Sequence, residues 1–308
     1  SGPTGTTTGT TAIDIGTGGG SAGVASFSGL SIDNVGTGYS FTASGAGLTS
    51  AVSSTFDVTA KPLTATVTIG NKVYDSTTNA SLLTASLVGG IVSPDVVAIS
   101  TTTATAVFTT TGVGVGKTVT VSGLGFSGAD IAKYSFNGNA TGTATITGQP
   151  VMITIDPGQT KVYGDTDPST FTYTTSGLLG GDTVTGSSSR VSGENVGVWS
   201  INNLGTLSAG PNYTLSITPN NFTITARPIT VTATTTTKVY DGNTTSTAIP
   251  AITLGTLKSL DVANFTESYT SSSTGTGLTM VPTGTVNDGN SGLNYAVTFT
   301  NSTNGAIT

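Results

Sequence analysis

One trio of residues recurs along this chain and limits what it can fold into. Lys72-Val73-Tyr74, Lys161-Val162-Tyr163 and Lys238-Val239-Tyr240 each stand about ten residues after a proline-led run, at Pro62, Pro150 and Pro228. A second landmark follows each trio: Lys133-Tyr134, Asn212-Tyr213 and Asn294-Tyr295, the tyrosines lying 62, 52 and 57 residues beyond the corresponding lysines. Self-similarity at this spacing means one structural unit used several times. It divides the 308 residues into three units of about 80 and a shorter leading piece. The boundaries are 1–59, 60–148, 149–226 and 227–308, and the junctions Ala60-Lys61-Pro62, Gly148-Gln149-Pro150 and Ala226-Arg227-Pro228 read as short hinges.

Inside a unit the hydrophobic period is two. Leu63, Ala65, Val67 and Ile69 alternate with threonines, as do Ile229, Val231 and Ala233, and the pattern returns at Tyr213, Leu215 and Ile217 and at Phe222 and Ile224. A period of two places one face of a strand in a core and the other in water. Roughly a fifth of the chain is threonine, whose branched Cβ favours the extended backbone while its hydroxyl keeps the wet face soluble. Gly, Asn, Asp and Ser clusters supply turns, and no window carries helical periodicity. The fold class expected is all-β: tandem immunoglobulin-like β-sandwich domains arranged as an elongated rod.

Composition removes most chemistry. Histidine and cysteine are absent, so neither a Ser-His-Asp triad, a cysteine nucleophile nor a zinc site of the usual N/S type can be built. Fifteen acids against nine bases give a net charge of −6, the wrong sign for a nucleic-acid partner. The apolar runs are a few residues long, too short to span a membrane. With two glutamates, Glu194 and Glu267, and its aspartates dispersed through turns, the chain is not expected to be an enzyme.

At this point the residues resemble known repeats. Lys161-Val-Tyr-Gly-Asp-Thr-Asp-Pro, Gly177-Leu-Leu-Gly-Gly-Asp182, Arg190-Val-Ser-Gly-Glu-Asn-Val-Gly197 and Asn212-Tyr213 look like the MBG repeat of large bacterial surface adhesins, the filamentous haemagglutinin-like exoproteins. Tyr74-Asp75-Ser76-Thr77-Thr78 and Tyr240-Asp241-Gly242-Asn243-Thr244-Thr245 resemble the related YDG repeat, with Ser76 in place of its usual glycine. The leading piece, with Ala25 to Tyr39 and Gly47 to Ser54, is similar to part of a bacterial Ig-like repeat. The resemblance implies a stalk or adhesive array in a large exported surface or biofilm protein, extracellular or on the bacterial cell surface. It carries no catalytic residues, and its partners are neighbouring repeats.

Candidate sites follow from these motifs. The structural motif comprises Tyr74, Asp75, Tyr163, Asp165, Tyr240 and Asp241 with the second-landmark Tyr134, Tyr213 and Tyr295. Each first-landmark ring is expected to anchor its own unit from the core edge, with the hydroxyl on backbone and the acid in the next turn. Asp165 and Asp167, and Asn287 and Asp288, are the weak candidates for Ca²⁺, the one cofactor considered. Glu194 and Asp288 are otherwise read as ordinary surface positions. Trp199, in phase with Ile201, is expected in the core, and Gly16-Thr-Gly-Gly-Gly20 as a loop. Lys72, Lys161 and Lys238 are read as snorkelling at a strand edge in preference to forming isopeptide staples. Exposed rings at Tyr39, Tyr173 or Tyr269 would suit an alternative, a module binding host or matrix glycans. A filament of identical subunits completed by strand donation is the other alternative.

Overall fold

In a computed structural model, residues 7–8, 25, 27–258 and 260–308 are described; the glycine-rich stretch 16–20 lies outside them. The chain is all-β and divides into two compact units, Ser1–Thr147 and Gly148–Thr308. Among the described residues no helix is long and apolar enough to cross a membrane.

The second unit shows most plainly how alternation becomes architecture. Gln149–Ile155 lies between Tyr173–Ser176 and Tyr213–Thr218 in one sheet, and the order Gln159–Val162, Asn220–Thr225, Gly197–Asn203, Ser189–Arg190 makes a second. Val151, Ile153 and Ile155 are buried from the first sheet, Ile201, Phe222 and Ile224 from the second. The arrangement repeats from residue 227. Ala251–Leu254, Arg227–Thr232 and Tyr295–Thr300 form one sheet; Thr237–Lys238, Ser302–Ile307, Gly275–Asn287 and Val262–Tyr269 form the other. Ile229 and Val231 of one sheet pack with Phe265 and Val286 of the other and with Tyr295, which is the shared core of a sandwich.

The first strand of each sandwich changes sheets. Its opening leg runs parallel to the strand begun by the second-landmark tyrosine, with Gln149 opposite Tyr213 and Arg227 opposite Tyr295. Its second leg, carrying the lysine, runs parallel to the last strand, with Lys161 opposite Ile224 and Lys238 opposite Ile307. Asp156-Pro157-Gly158 makes the crossing in one sandwich, a turn-forming proline–glycine pair that interrupts the ladder between the two legs. Gln149-Pro150 and Arg227-Pro228 of the expected hinges are therefore the first residues of these strands, paired into the sheet.

In the first unit the same frame is present with a shortened return strand. Lys61–Pro62 pairs in parallel with only Tyr134–Ser135, and Thr64–Gly70 then pairs with Ser81–Val88. The order Thr105–Phe108, Gly114–Ser122, Ala140–Thr147, Lys72–Val73 makes the main sheet. Leu63, Val97 and Tyr134 form a buried cluster joined by Leu87 and Phe126. In the leading piece Gly36–Tyr39 pairs with Phe56–Val58, and Tyr39 and Phe41 both stack on Phe56.

Candidate functional site

Each second-landmark tyrosine ends in the same small construction. Tyr134, Tyr213 and Tyr295 are buried, and the phenol of each reaches a turn 31 to 39 residues upstream. It donates to a carboxylate, at 2.8 Å to Asp95, to Asp182, and at 2.6 Å to Asp261. The same oxygen accepts the N–H of Val92 at 2.9 Å, of Leu179 at 3.3 Å and of Lys258 at 2.8 Å. These donating positions lie three residues before the aspartate, whose own N–H returns to the carbonyl of Val92, Leu179 or Lys258. One hydroxyl thus satisfies a buried donor and acceptor and pins a turn to the first sheet. Burial, then the neighbouring Asp261 carboxylate, push the Tyr295 phenol up to about 12. Burial likewise raises Tyr134, the Asp95 carboxylate adding to it. The three aspartates carry this motif and the landmarks alone do not reveal it; their signal is an Asp at a roughly constant distance before each second tyrosine, visible in Gly180-Gly181-Asp182.

The first-landmark trios diverge. Their backbones agree, with the N–H of Tyr74, Tyr163 and Tyr240 bound to the carbonyl of Thr147, Thr225 and Thr308. Their side chains do not. Tyr74 is buried and Tyr240 is 57% exposed, so Tyr240 does not anchor a core as expected. Tyr163 is half-buried, meets Tyr295 edge-on with centroids 5.5 Å apart, and donates to Asp261 at 3.1 Å rather than to backbone. It packs against the core cluster of residues 227–308.

The lysines clasp turns. Lys72 bonds Asp75 at 2.7 Å and the carbonyl of Thr77 at 2.8 Å, and Lys238 bonds Asp241 at 2.7 Å and the carbonyl of Asn243 at 2.8 Å. The ammonium of Lys72, followed by the N–H of Thr77, lowers the Asp75 carboxyl to about 2. Lys161 does not snorkel: its side chain is 4% exposed and bonds Asp167 at 2.7 Å and also Glu194. Arg190 grips Asp167 through Nε at 2.7 Å and Nη2 at 2.9 Å, and Glu194 at 2.6 Å, with its guanidinium over the Phe222 ring. Burial works against the charge on Lys161, but Asp167 and Glu194 outweigh it and raise the ammonium. Two bases and two acids thus neutralise one another, and Glu194 is a network member and not an isolated surface residue.

The Ca²⁺ candidates are engaged in the same way. Asp165 meets Arg227 and, at 3.4 Å, Lys258. Asp288 is 9% exposed and accepts the N–H groups of Asn290, Gly292 and Asn294 at 2.7–2.9 Å. Burial opposes its charge, yet these three donors hold its carboxyl below the usual range. It organises a loop, contrary to its reading as an ordinary surface acid. Asn287 ends a strand opposite Val262. Among the described residues no three His, Cys, Asp or Glu side chains cluster as a metal site.

The rings assigned to glycan binding are mostly enclosed: Tyr39 is 5% and Tyr269 2% exposed, and Tyr173 is half-buried. The Tyr269 hydroxyl donates to the carbonyl of Thr236 at 2.9 Å. Trp199 is half-buried rather than in the core, lying across Gly193 with its N–H on the carbonyl of Asn195 at 3.0 Å.

Known families account for the two middle segments. Residues 59–144 match the YDG domain and residues 151–223 the MBG domain of YGX type. No curated protein matches the chain, and no solved structure does. The chain therefore carries a YDG domain over residues 59–144 followed by an MBG domain of the YGX type over residues 151–223.

Proposed function

We propose that this chain is a structural spacer, a stalk segment of an extracellular bacterial adhesin or surface fibre, with no catalytic role. One observation carries the reading: the strongest polar contacts are spent holding the chain to itself. Tyrosine–aspartate corners recur at Tyr134, Tyr213 and Tyr295, and the Lys161–Asp167–Arg190–Glu194 network closes on its own members. A recognition or catalytic site needs polar groups left available to a ligand. Here the conspicuous ones are already matched, and the membership of YDG and MBG domains agrees with a repeat used for construction.

The test is binding of the intact chain to glycan arrays and to polysaccharide surfaces, with turnover of the same polysaccharides followed. Neither saturable binding nor hydrolysis is expected. Saturable binding lost on changing an exposed ring such as Tyr240 would replace the spacer with an adhesive module.

A further inference from the structure

Residues 148–308 contain one complete joint between successive sandwiches. Tyr163, at the far end of the MBG domain, presents its ring edge to Tyr295 and its hydroxyl to Asp261, so it docks on the tyrosine–aspartate corner of the next sandwich. Arg227 at the start of that sandwich donates from Nε to the carbonyl of Tyr163 at 2.8 Å and pairs with Asp165. The stem of Lys258 covers Gly164, where a Cβ would lie 2.2 Å from Lys258 Cγ. Asn294, fully buried, accepts the N–H of Val196 at 2.9 Å and donates to Asn195 at 3.1 Å. The joint thus has an aromatic centre and a polar border, as a specific interface does.

The far end of the last sandwich offers the matching half. Lys238-Val239-Tyr240 holds the register of Lys161-Val162-Tyr163: Lys238 lies opposite Ile307 where Lys161 lies opposite Ile224, and Tyr240 N–H bonds Thr308 where Tyr163 bonds Thr225. Here the ring is 57% and Val239 78% exposed. Asp241 stands at the place of Gly164, its carboxylate half exposed on the Lys238 clasp, so an acid remains within a residue of the Asp165 position.

We propose that the Tyr240 face is a docking surface for the tyrosine–aspartate corner of another repeat of this build, the partner that Tyr163 receives. The occupant is fixed by chemistry: an aspartate–tyrosine pair to take the phenol, with bases in the places of Arg227 and Lys258 to meet Asp241. The proposal rests on reading the chain as a spacer of repeats.

The experiment adds a second, isotopically labelled copy of residues 226–308 directly after Thr308 of the full chain and maps tyrosine nitration by mass spectrometry, the label separating the peptides of the two copies. In the unextended chain Tyr240 is expected to nitrate readily. In the extended chain its rate should fall about tenfold, and should recover when the added copy carries Tyr295→Ala or Lys258→Glu. Tyr269 of the added copy, 2% exposed in its sandwich, reports folding. Full nitration of Tyr240 beside a protected added Tyr269 overturns the proposal. So does an added copy whose Tyr269 is open, because a received repeat is folded. Neither result touches the spacer reading, which the glycan and hydrolysis measurements decide.

Discussion

A buried phenol is worth its place only if both its donor and its acceptor capacity are used, and the three second-landmark tyrosines meet that condition with one carboxylate and one backbone N–H each. Replacing Tyr295 by Phe keeps the ring but strands the Lys258 N–H and leaves Asp261 with the Tyr163 phenol alone, and should cost about 1.5–3 kcal/mol, the range for bonds to charged groups. The shifted phenol also sets a pH signature. Its ionisation is raised from 10.0 to about 12, so its contribution is complete below pH 10 and is lost as pH rises from 10 towards 12. Denaturant melts of parent and Tyr295→Phe should therefore differ most below pH 10 and converge above it; curves that stay parallel would refute the assignment. Asp75 behaves in the opposite sense. Its carboxyl falls from 3.8 to about 2, so the Lys72 clasp acts above pH 4 and fades as pH falls to 2. Because Asp75 is half exposed, Asp75→Asn should cost less than about 1 kcal/mol, measurable as a weakened acid dependence between those limits. The tyrosines were legible in the sequence as recurrent letters. Their aspartates were not, because the partners are separated by 31 to 39 residues and only the fold brings the turn to the strand.

At the scale of elements, alternation at Leu63–Ile69, Ile229–Ala233 and Phe222–Ile224 sufficed to place strands and their buried faces, because a period of two has one structural meaning. Strand pairing was not legible in the same way. The opening strand runs parallel to the Tyr213 or Tyr295 strand, across nearly the whole sandwich in sequence, and nothing local marks a partner that distant. A small trace does survive. Gly177 and Gly255 follow the second strand of their sandwiches with φ of +97° and +80°, and a Cβ there would come within 2.3 Å of the Pro150 carbonyl and 2.6 Å of the Pro228 carbonyl. The proline-led strand and the glycine are two sides of one close approach, which only a residue without a Cβ permits. Gly177→Ala should therefore destabilise residues 149–226 by more than about 1 kcal/mol, combining a disfavoured φ with a backbone clash. Gly180→Ala, with φ of +59° and open space around its Cβ position, should cost less. Equal losses in urea melts of the two variants would show that the Pro150 contact is unimportant.

At the largest scale, within Gly148–Thr308, sequence reasoning expects independent sandwiches in which each tyrosine of the Lys-Val-Tyr trio serves its own unit. The structure assigns Tyr163 to the neighbour instead: it packs on the Ile229, Val231, Phe265, Val286 and Tyr295 cluster and bonds Asp261. Sandwiches that share an interface of this kind unfold with a coupling term as well as their own stabilities. Tyr163→Ala removes an aromatic edge contact and a bond to a carboxylate, and for a half-buried ring the loss should be about 2 kcal/mol, at the low end of large-to-small substitutions. The loss belongs chiefly to residues 227–308 although the mutation lies outside them. Tyr240→Ala, at the corresponding position of the last sandwich, removes a ring that is 57% exposed and should fall within about 0.5 kcal/mol of the parent, as surface changes do. Hydrogen exchange resolves the two cases by segment: faster exchange at Phe265 and Val286 is expected in Tyr163→Ala and unchanged rates in Tyr240→Ala. If Tyr163→Ala loosened only residues 149–226, the joint would carry no energy, and each tyrosine would belong to its own sandwich after all.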